Sequence, residues 1–383
     1  MTIFIGIVGL LLILIILQDA FETIVLPRRV SRRFRLARMF YRSTWAVCSS
    51  TARWIHATNR REYYLSYYGP LSLLFLLVIW AVGLIVGFAM LQWAFGSALA
   101  SPERHADFFT DLYVSGTTFI TLGLGDVIPN SPIARVLLVV EAGGGFGFLA
   151  LVIGYLPVIY QAFSRREVNI SLLDARAGSP PSGLEMLRRH VRGGSDVTEG
   201  VQALHDWEHW AAELLESHLS YPVLMYYRSQ HERQSWLAAL ATILDACTLI
   251  IAGIDDMPVQ GAWYTFAIAR HAAVDLSQIL GVRPDASYTD RLPPADFARL
   301  REALVDAGMV LHEGESTEQK LRELRRMYEP YIQGLSKKLQ MALPDWLPPA
   351  EVVDDWQTSS WEHVVTASRM AALQAKSRKM RQA

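Results

Sequence analysis

Charge is scarce in this chain. Only 19% of its 383 residues are charged, against roughly 25% in an average soluble protein, and the mean hydropathy is +0.19, which points to a membrane protein. What charge there is favours neither sign. With 36 Lys+Arg against 37 Asp+Glu, the formal net charge is -1, so the broad positive field that neutralises phosphates is missing and no nucleic-acid partner is expected. Cysteine is nearly missing too: Cys48 and Cys247 stand far apart, without the spacing of a disulfide framework or a structural zinc site. Alternating strand patterns are few and no glycine-rich turn follows a strand, which excludes a nucleotide-binding Rossmann module. An all-helical chain that is not an enzyme is expected.

Long apolar runs are what the sequence has instead. Ile3 to Leu17 is unbroken and continues, past Gln18, Asp19 and Glu22, to Pro27, long enough for the ~20 residues of a membrane span. It lacks the basic start and small-residue cleavage site of a secretory signal, so a retained helix is expected. Arg28, Arg29, Arg32, Arg33, Arg35, Arg38, Arg42, Arg53, Arg60 and Arg61 follow, and basic loops stay in the cytoplasm. The first helix then runs inward from an external N-terminus. The second, the uncharged Leu71 to Trp93, returns outward, and the third, Ile133 to Phe163, runs inward again to Arg165 and Arg166. Arg29, Arg32, Arg35 and Arg38 recur every third residue, as in a voltage sensor. With Arg28, Ser31 and Arg33 between them and no acid-bearing bundle upstream, a helix resting on anionic lipid is the preferred reading. Asp19 and Glu22 are candidate partners for these arginines.

Between the second and third helices, Gly96 to Pro132 is too short for a domain. Its half-length amphipathic stretch, Asp107 to Ile120, suits a re-entrant helix enclosed by protein or lining a wet cavity. That stretch ends in Thr117-Thr118-Phe119-Ile120-Thr121-Leu122-Gly123-Leu124-Gly125-Asp126. A dehydrated cation in a narrow pore needs backbone carbonyls in place of its water, and consecutive carbonyls share one axis only where alternate residues reach left-handed or extended states. Gly123 and Gly125 reach them at little cost. Thr121 can add a hydroxyl oxygen, Asp126 sets a carboxylate at the outer mouth, and the negative C-terminal end of the re-entrant helix favours a cation below it.

The string resembles the pore signature of the potassium channel family, TTVGYGD in its usual form, and the likeness covers roughly Leu71 to Arg166. It implies passive K+ conduction, with the ion held by the backbone of Thr121, Leu122, Gly123 and Leu124, supported by Tyr113, Thr117 and Thr118 of the pore helix. No cofactor beyond the permeant ion is implied. The family builds its pore from four such loops and this chain has one, so the resemblance also implies a homotetramer. Two positions depart from the pattern. Leu122 replaces Val, and Leu124 replaces a Tyr or Phe that braces the filter in the family, for which the pore helix here offers only Tyr113 and Val114. Filters reading GLG are similar to the second pore of some two-pore-domain potassium channels, so K+ selectivity is expected, with a less selective cation pore as the alternative.

The third helix resembles the family's inner helix. Gly143, Gly144 and Gly145, with Gly147 and Gly154, read either as a hinge or as small residues for close packing, and Pro157 marks a kink and constriction. Glu141 is ionisable at membrane depth and so a functional candidate. It either sits behind the filter, bonded to a pore-helix hydroxyl such as Thr117, or faces the cavity, and the first is preferred.

The texture changes from Asn169 onward. The expected divisions are a first helix over 1–26, an arginine-rich amphipathic segment over 27–68, the pore over 69–166, a linker over 167–196 with GSPPSG, and a cytosolic helical domain over 197–383. Helix starts are read at Asp196, Ser316 and Ser359, each with Glu or Gln three residues on, and stops at Pro258, Pro284, Pro293-Pro294 and Pro348-Pro349. Ser235 to Ile254 is apolar enough to span, but its central Asp245 favours a buried core helix. His205, His209 and Glu213 share one helical face and read as a surface stripe, a proton- or divalent-sensing site, or, least favoured, catalytic zinc. The basic tail, Arg369 to Arg381, reads as a solvated helix end or a lipid contact. A regulatory ligand of the soluble domain has no motif to name it. Two rivals to a pore remain: a membrane-anchored sensor working through that domain, and a scaffold.

Overall fold

The computed structural model describes residues 2–26, 35–97, 99–100, 107–192, 197–230, 233–284, 288–312 and 314–347. Arg28, Arg29, Arg32, Arg33, Asp196, Ser359, the Pro348-Pro349 pair and the basic tail lie outside them. The protein is an all-α membrane protein. Its helices are α1 (Thr2–Ala20), α2 (Leu36–Ala52), α3 (Thr58–Ser66), α4 (Tyr68–Ala94), α5 (Phe108–Phe119), α6 (Pro132–Ala177), α7 (Gly183–Arg192), α8 (Val197–Ser220), α9 (Trp236–Gly253), α10 (Val259–Ile279), α11 (Pro294–Asp306), α12 (Glu315–Arg326) and α13 (Glu329–Leu339). The described strands, β1 (Leu99–Ala100) and β2 (Ile128–Pro129), form one two-residue antiparallel ladder. The chain divides into two compact units, Met1–Ser164 with Ser217–Arg228, and Arg165–Glu216 with Ser229–Ala383 as far as it is described.

In the first unit α1, α4 and the first part of α6 have the length and apolar composition of membrane spans. α4 is apolar on both faces. Leu73, Leu76, Leu77, Trp80 and Leu84 are buried, while Leu71, Leu74, Phe75, Val78 and Val82 are exposed, as a helix between protein and lipid requires. α1 packs along α4 at two glycines: a Cβ on Gly9 would lie 2.8 Å from Gly87 O, the small-residue contact that brings membrane helices together. Asp19, near the end of α1, is buried and accepts the Trp80 Nε1–H at 3.0 Å and the Ala37 N–H, in the first turn of α2, at 3.0 Å. The expected acid–arginine pairing therefore holds for Glu22, 3.6 Å from Arg35, whereas Asp19 takes an indole and a free helix-end amide.

Two departures concern the inner helix and what covers it. α6 continues beyond the expected Phe163, unbroken through Pro157 and Arg165-Arg166, to Ala177. The segment read as a linker is thus helical up to Ala177 and again over Gly183–Arg192, with Leu184 and Leu187 buried. Residues 217–228, expected in the cytosolic domain, belong to the membrane unit. Their 3-10 turn, Pro222–Tyr226, packs Val223 and Leu224 against Leu73 of α4 and Tyr155, Ile159 and Ala162 of α6. The Tyr226 ring meets Tyr41, Trp45 and Tyr68 at centroid distances of 5.9, 5.0 and 5.2 Å. Tyr227 lies over Gly69, where a Cβ would come within 2.6 Å of its ring, and Arg228 pairs with Glu62 at 3.2 Å.

In the second unit every residue of α9 from Trp236 to Ala252 is buried, so this apolar helix is covered by protein and leaves no face for lipid. Asp245 is what fixes it. The Arg291 guanidinium donates to Asp245 at 2.7 and 3.0 Å and to Glu329 at 3.0 and 3.0 Å, and the Tyr328 hydroxyl donates to Asp245 at 2.6 Å. Two helix boundaries differ from expectation for one reason. Pro258 and Pro293 stand at the N-caps of α10 and α11. A proline needs no amide hydrogen there, so it opens the following helix. Ser316 lies inside α12, which begins at Glu315 behind Gly314.

Candidate functional site

The site is built on α5. Asp107 accepts the Thr110 N–H at 2.9 Å while the Thr110 hydroxyl accepts the Asp107 N–H at 3.3 Å, a capping box that fixes where the helix starts. Its buried face is Asp111, Val114, Ser115 and Phe119. Among these Asp111 accepts the Ser97 hydroxyl at 2.6 Å. After Phe119 the chain folds back on its own helix end. The amides of Ile120, Thr121, Leu122 and Gly123 donate to Gly116 O (3.1 Å), Thr118 O (3.0 Å), Thr117 O (2.7 Å) and Thr117 O (3.2 Å) respectively.

That return sets the direction of the next carbonyls. A trans, planar peptide unit points its C=O opposite to its N–H, so amides turned toward the helix send the carbonyls of Ile120, Thr121 and Leu122 away from it. The backbone alternates as the sequence requires: Thr121, Gly123 and Gly125 have φ of 58°, 54° and 77°. For the β-branched Thr121 this is a strained conformation of the kind retained at functional sites. Leu122 and Leu124 between them are exposed. Asp126 accepts the Tyr113 hydroxyl at 2.9 Å, which ties the end of the loop to α5, and β2 just beyond it pairs with β1, which precedes α5. Thr117 and Thr118 act through their carbonyls, and the Thr117 hydroxyl donates within the helix to Val114 O at 3.1 Å.

Glu141 of α6 is fully buried and meets the hydroxyl of Ser115 on α5, not that of Thr117. Ser115 and Thr117 are two residues apart and so lie on different sides of the helix. The glycine triplet divides. Gly145 abuts the backbone of Phe119, leaving no room for a Cβ, and the Phe119 ring packs on Phe148 at 5.8 Å, whereas Gly143, Gly144, Gly147 and Gly154 have open space beside them. The helical assignment of α6 is continuous through the triplet and Pro157.

In the second unit His205 and His209 are exposed, with His209 Nε2 3.6 Å from Glu213. Among the described residues no cluster of three His, Cys, Asp or Glu could hold a metal. A cavity of about 460 Å³ opens elsewhere in this unit, lined by Arg176, His190, Glu199, Asp206, Trp207 and Met257 among others.

Residues 74–161, which take in most of α4, α5, the loop after it and the first part of α6, match the ion channel family. The chain is also similar to the uncharacterized membrane protein YdjJ of Bacillus subtilis (strain 168), 24% identical over 194 residues, which cover 50% of this chain and 56% of that protein. The similarity thus spans little more than half of the relative's length. No solved structure matches the chain.

Proposed function

We propose that this protein is a potassium-selective channel, with four copies around one axis and residues Thr121 to Asp126 as the filter. The observation that carries the reading is the alternation of left-handed backbone at Thr121, Gly123 and Gly125, directly behind a re-entrant helix that takes up the loop's first amides. One loop cannot enclose a pore. Consistent with several copies, Val139, Val140, Phe146 and Ile153 of α6 are all exposed in the single chain, more apolar surface than one lipid-facing stripe needs. The N-terminus lies outside and the soluble unit in the cytoplasm, as the arginine distribution requires. Conduction is passive, and the cytosolic unit regulates it.

The test is cation flux into liposomes containing the purified protein, under a potassium gradient and, separately, a sodium gradient, with Gly123→Ala as control. Flux with potassium alone, lost in the control, is the expected result. Equal sodium flux would replace the reading by a weakly selective cation pore. That second reading has Leu124 in its favour, an exposed aliphatic side chain where the family carries a bracing ring.

A further inference from the structure

Behind the loop, three helices meet at one hydroxyl. Ser115 Oγ on α5 lies 2.7 Å from the carbonyl oxygen of Ile85 on α4 and makes a short contact with Glu141 Oε1 on α6. Ser115 and Glu141 are both fully buried. A serine hydroxyl carries one hydrogen. A carbonyl oxygen and an ionised carboxylate oxygen are both acceptors, so two such contacts need two hydrogens, and only one is on the serine. The second has to reside on Glu141. The other carboxyl oxygen, Oε2, is buried without a partner, and no described Lys, Arg or His is paired with this carboxyl. A charge there would be left uncompensated at membrane depth, whereas the carbonyl oxygen of a neutral acid is far cheaper to leave alone.

We propose that Glu141 is a positioning residue held as a neutral carboxylic acid: its O–H donates to Ser115 Oγ, and Ser115 donates onward to Ile85 O. The relay ties the pore helix to the outer and inner helices at once. Two residues further along that helix stands Thr117, whose carbonyl takes the amides of Leu122 and Gly123, so the relay fixes the support on which the loop rests. Its consequence for conduction rests on the filter reading above, while the location of the hydrogen does not.

The experiment is infrared difference spectroscopy on the full chain in liposomes at neutral pH, glutamate-labelled with 13C, wild type minus Glu141→Gln. A protonated carboxyl band that shifts in heavy water and moves again in Ser115→Ala is expected. A difference spectrum showing only ionised carboxylate would overturn the proposal, whatever the flux. Potassium flux supplies the functional arm. Glu141→Gln keeps a donor facing Ser115 and should stay within about twofold of wild type, whereas Ser115→Ala and Glu141→Leu should lose about tenfold or more, as expected when a buried partner is left unsatisfied. A Glu141→Gln variant that conducts as poorly as Glu141→Leu would count against the donor role. The carboxyl band in a wild type that carries no flux would leave the proton assignment standing and remove the channel reading instead.

Discussion

Alanine at Gly145 and alanine at Gly144 should behave oppositely, although the two glycines are neighbours in one helix. A Cβ built on Gly145 lies 2.8 Å from the Phe119 carbonyl carbon and 3.0 Å from its Cα, with the oxygen closer still. The obstacle is main chain in the last turn of the pore helix, so no side chain can swing aside. On Gly144 the same atom meets nothing within 4 Å. Gly→Ala in a helix contributes about 1 kcal/mol of stability at either position, and this cancels between them. What remains is the overpacking term at Gly145 alone, about 1–3 kcal/mol. At roughly 2–4 °C per kcal/mol for a chain of this order of size, Gly145→Ala should unfold a few degrees below Gly144→Ala when both are followed by intrinsic fluorescence in detergent. On the proposed channel reading its potassium flux should fall as well, because relieving the clash moves α6 away from Phe119, the residue that leads into the loop from Ile120 to Asp126. Equal midpoints and equal flux for the two variants would refute the close-packing role of Gly145 and restore the triplet as a hinge.

Three further outcomes follow from contacts already described. Arg291→Met leaves Asp245 and Glu329 buried without their shared cation and should destabilise the second unit by about 3–5 kcal/mol. A circular dichroism melt identical to wild type would show that the pairing is not what holds α9. Trp80→Phe keeps an aromatic ring but removes the indole N–H that Asp19 accepts and shrinks a fully buried side chain, so a loss of at least about 1.5–3 kcal/mol is expected, read as a lower thermal midpoint in detergent. Tyr113→Phe removes the hydroxyl from Asp126 at an exposed position, where stability should change by less than about 0.5 kcal/mol. The ratio of potassium to sodium flux should drop nonetheless, and an unchanged ratio would take Tyr113 out of the filter's support.

The membrane helices, the re-entrant stretch and the loop were legible because each is written locally. A span is an apolar run, a capping box is two residues three apart, and a backbone that must alternate in hand announces itself by glycine at alternate positions. Thr121, the non-glycine member of that alternation, could be named as a filter oxygen but not as a strained residue. Partners across helices were harder to read. Glu141 demanded a hydroxyl, and the sequence offers Ser115, Thr117 and Thr118 within four residues. Choosing among them needs the rotation of α5 about its axis, which the buried face of Asp111, Val114 and Ser115 fixes. Asp245 signalled a buried helix, but its cation lies 46 residues away in a loop, beyond any local pattern. Pro258 and Pro293 misled because a proline excludes the helix before it and permits the helix after it, and the sequence alone does not say which edge is being marked.

The turn at Pro222–Tyr226 bears on how such a protein can be dissected or recombined. The segment that matches the ion channel family ends at residue 161, yet the surface formed by Leu73, Tyr155 and Ile159 is finished by Val223 and Leu224, from far downstream in the chain. A fragment stopped after the inner helix would present that apolar patch bare. A chimera carrying a foreign second unit would do the same unless it retained residues 217–228. The membrane unit is therefore not a detachable cassette, since part of its core is written within the stretch of sequence that otherwise builds the second unit.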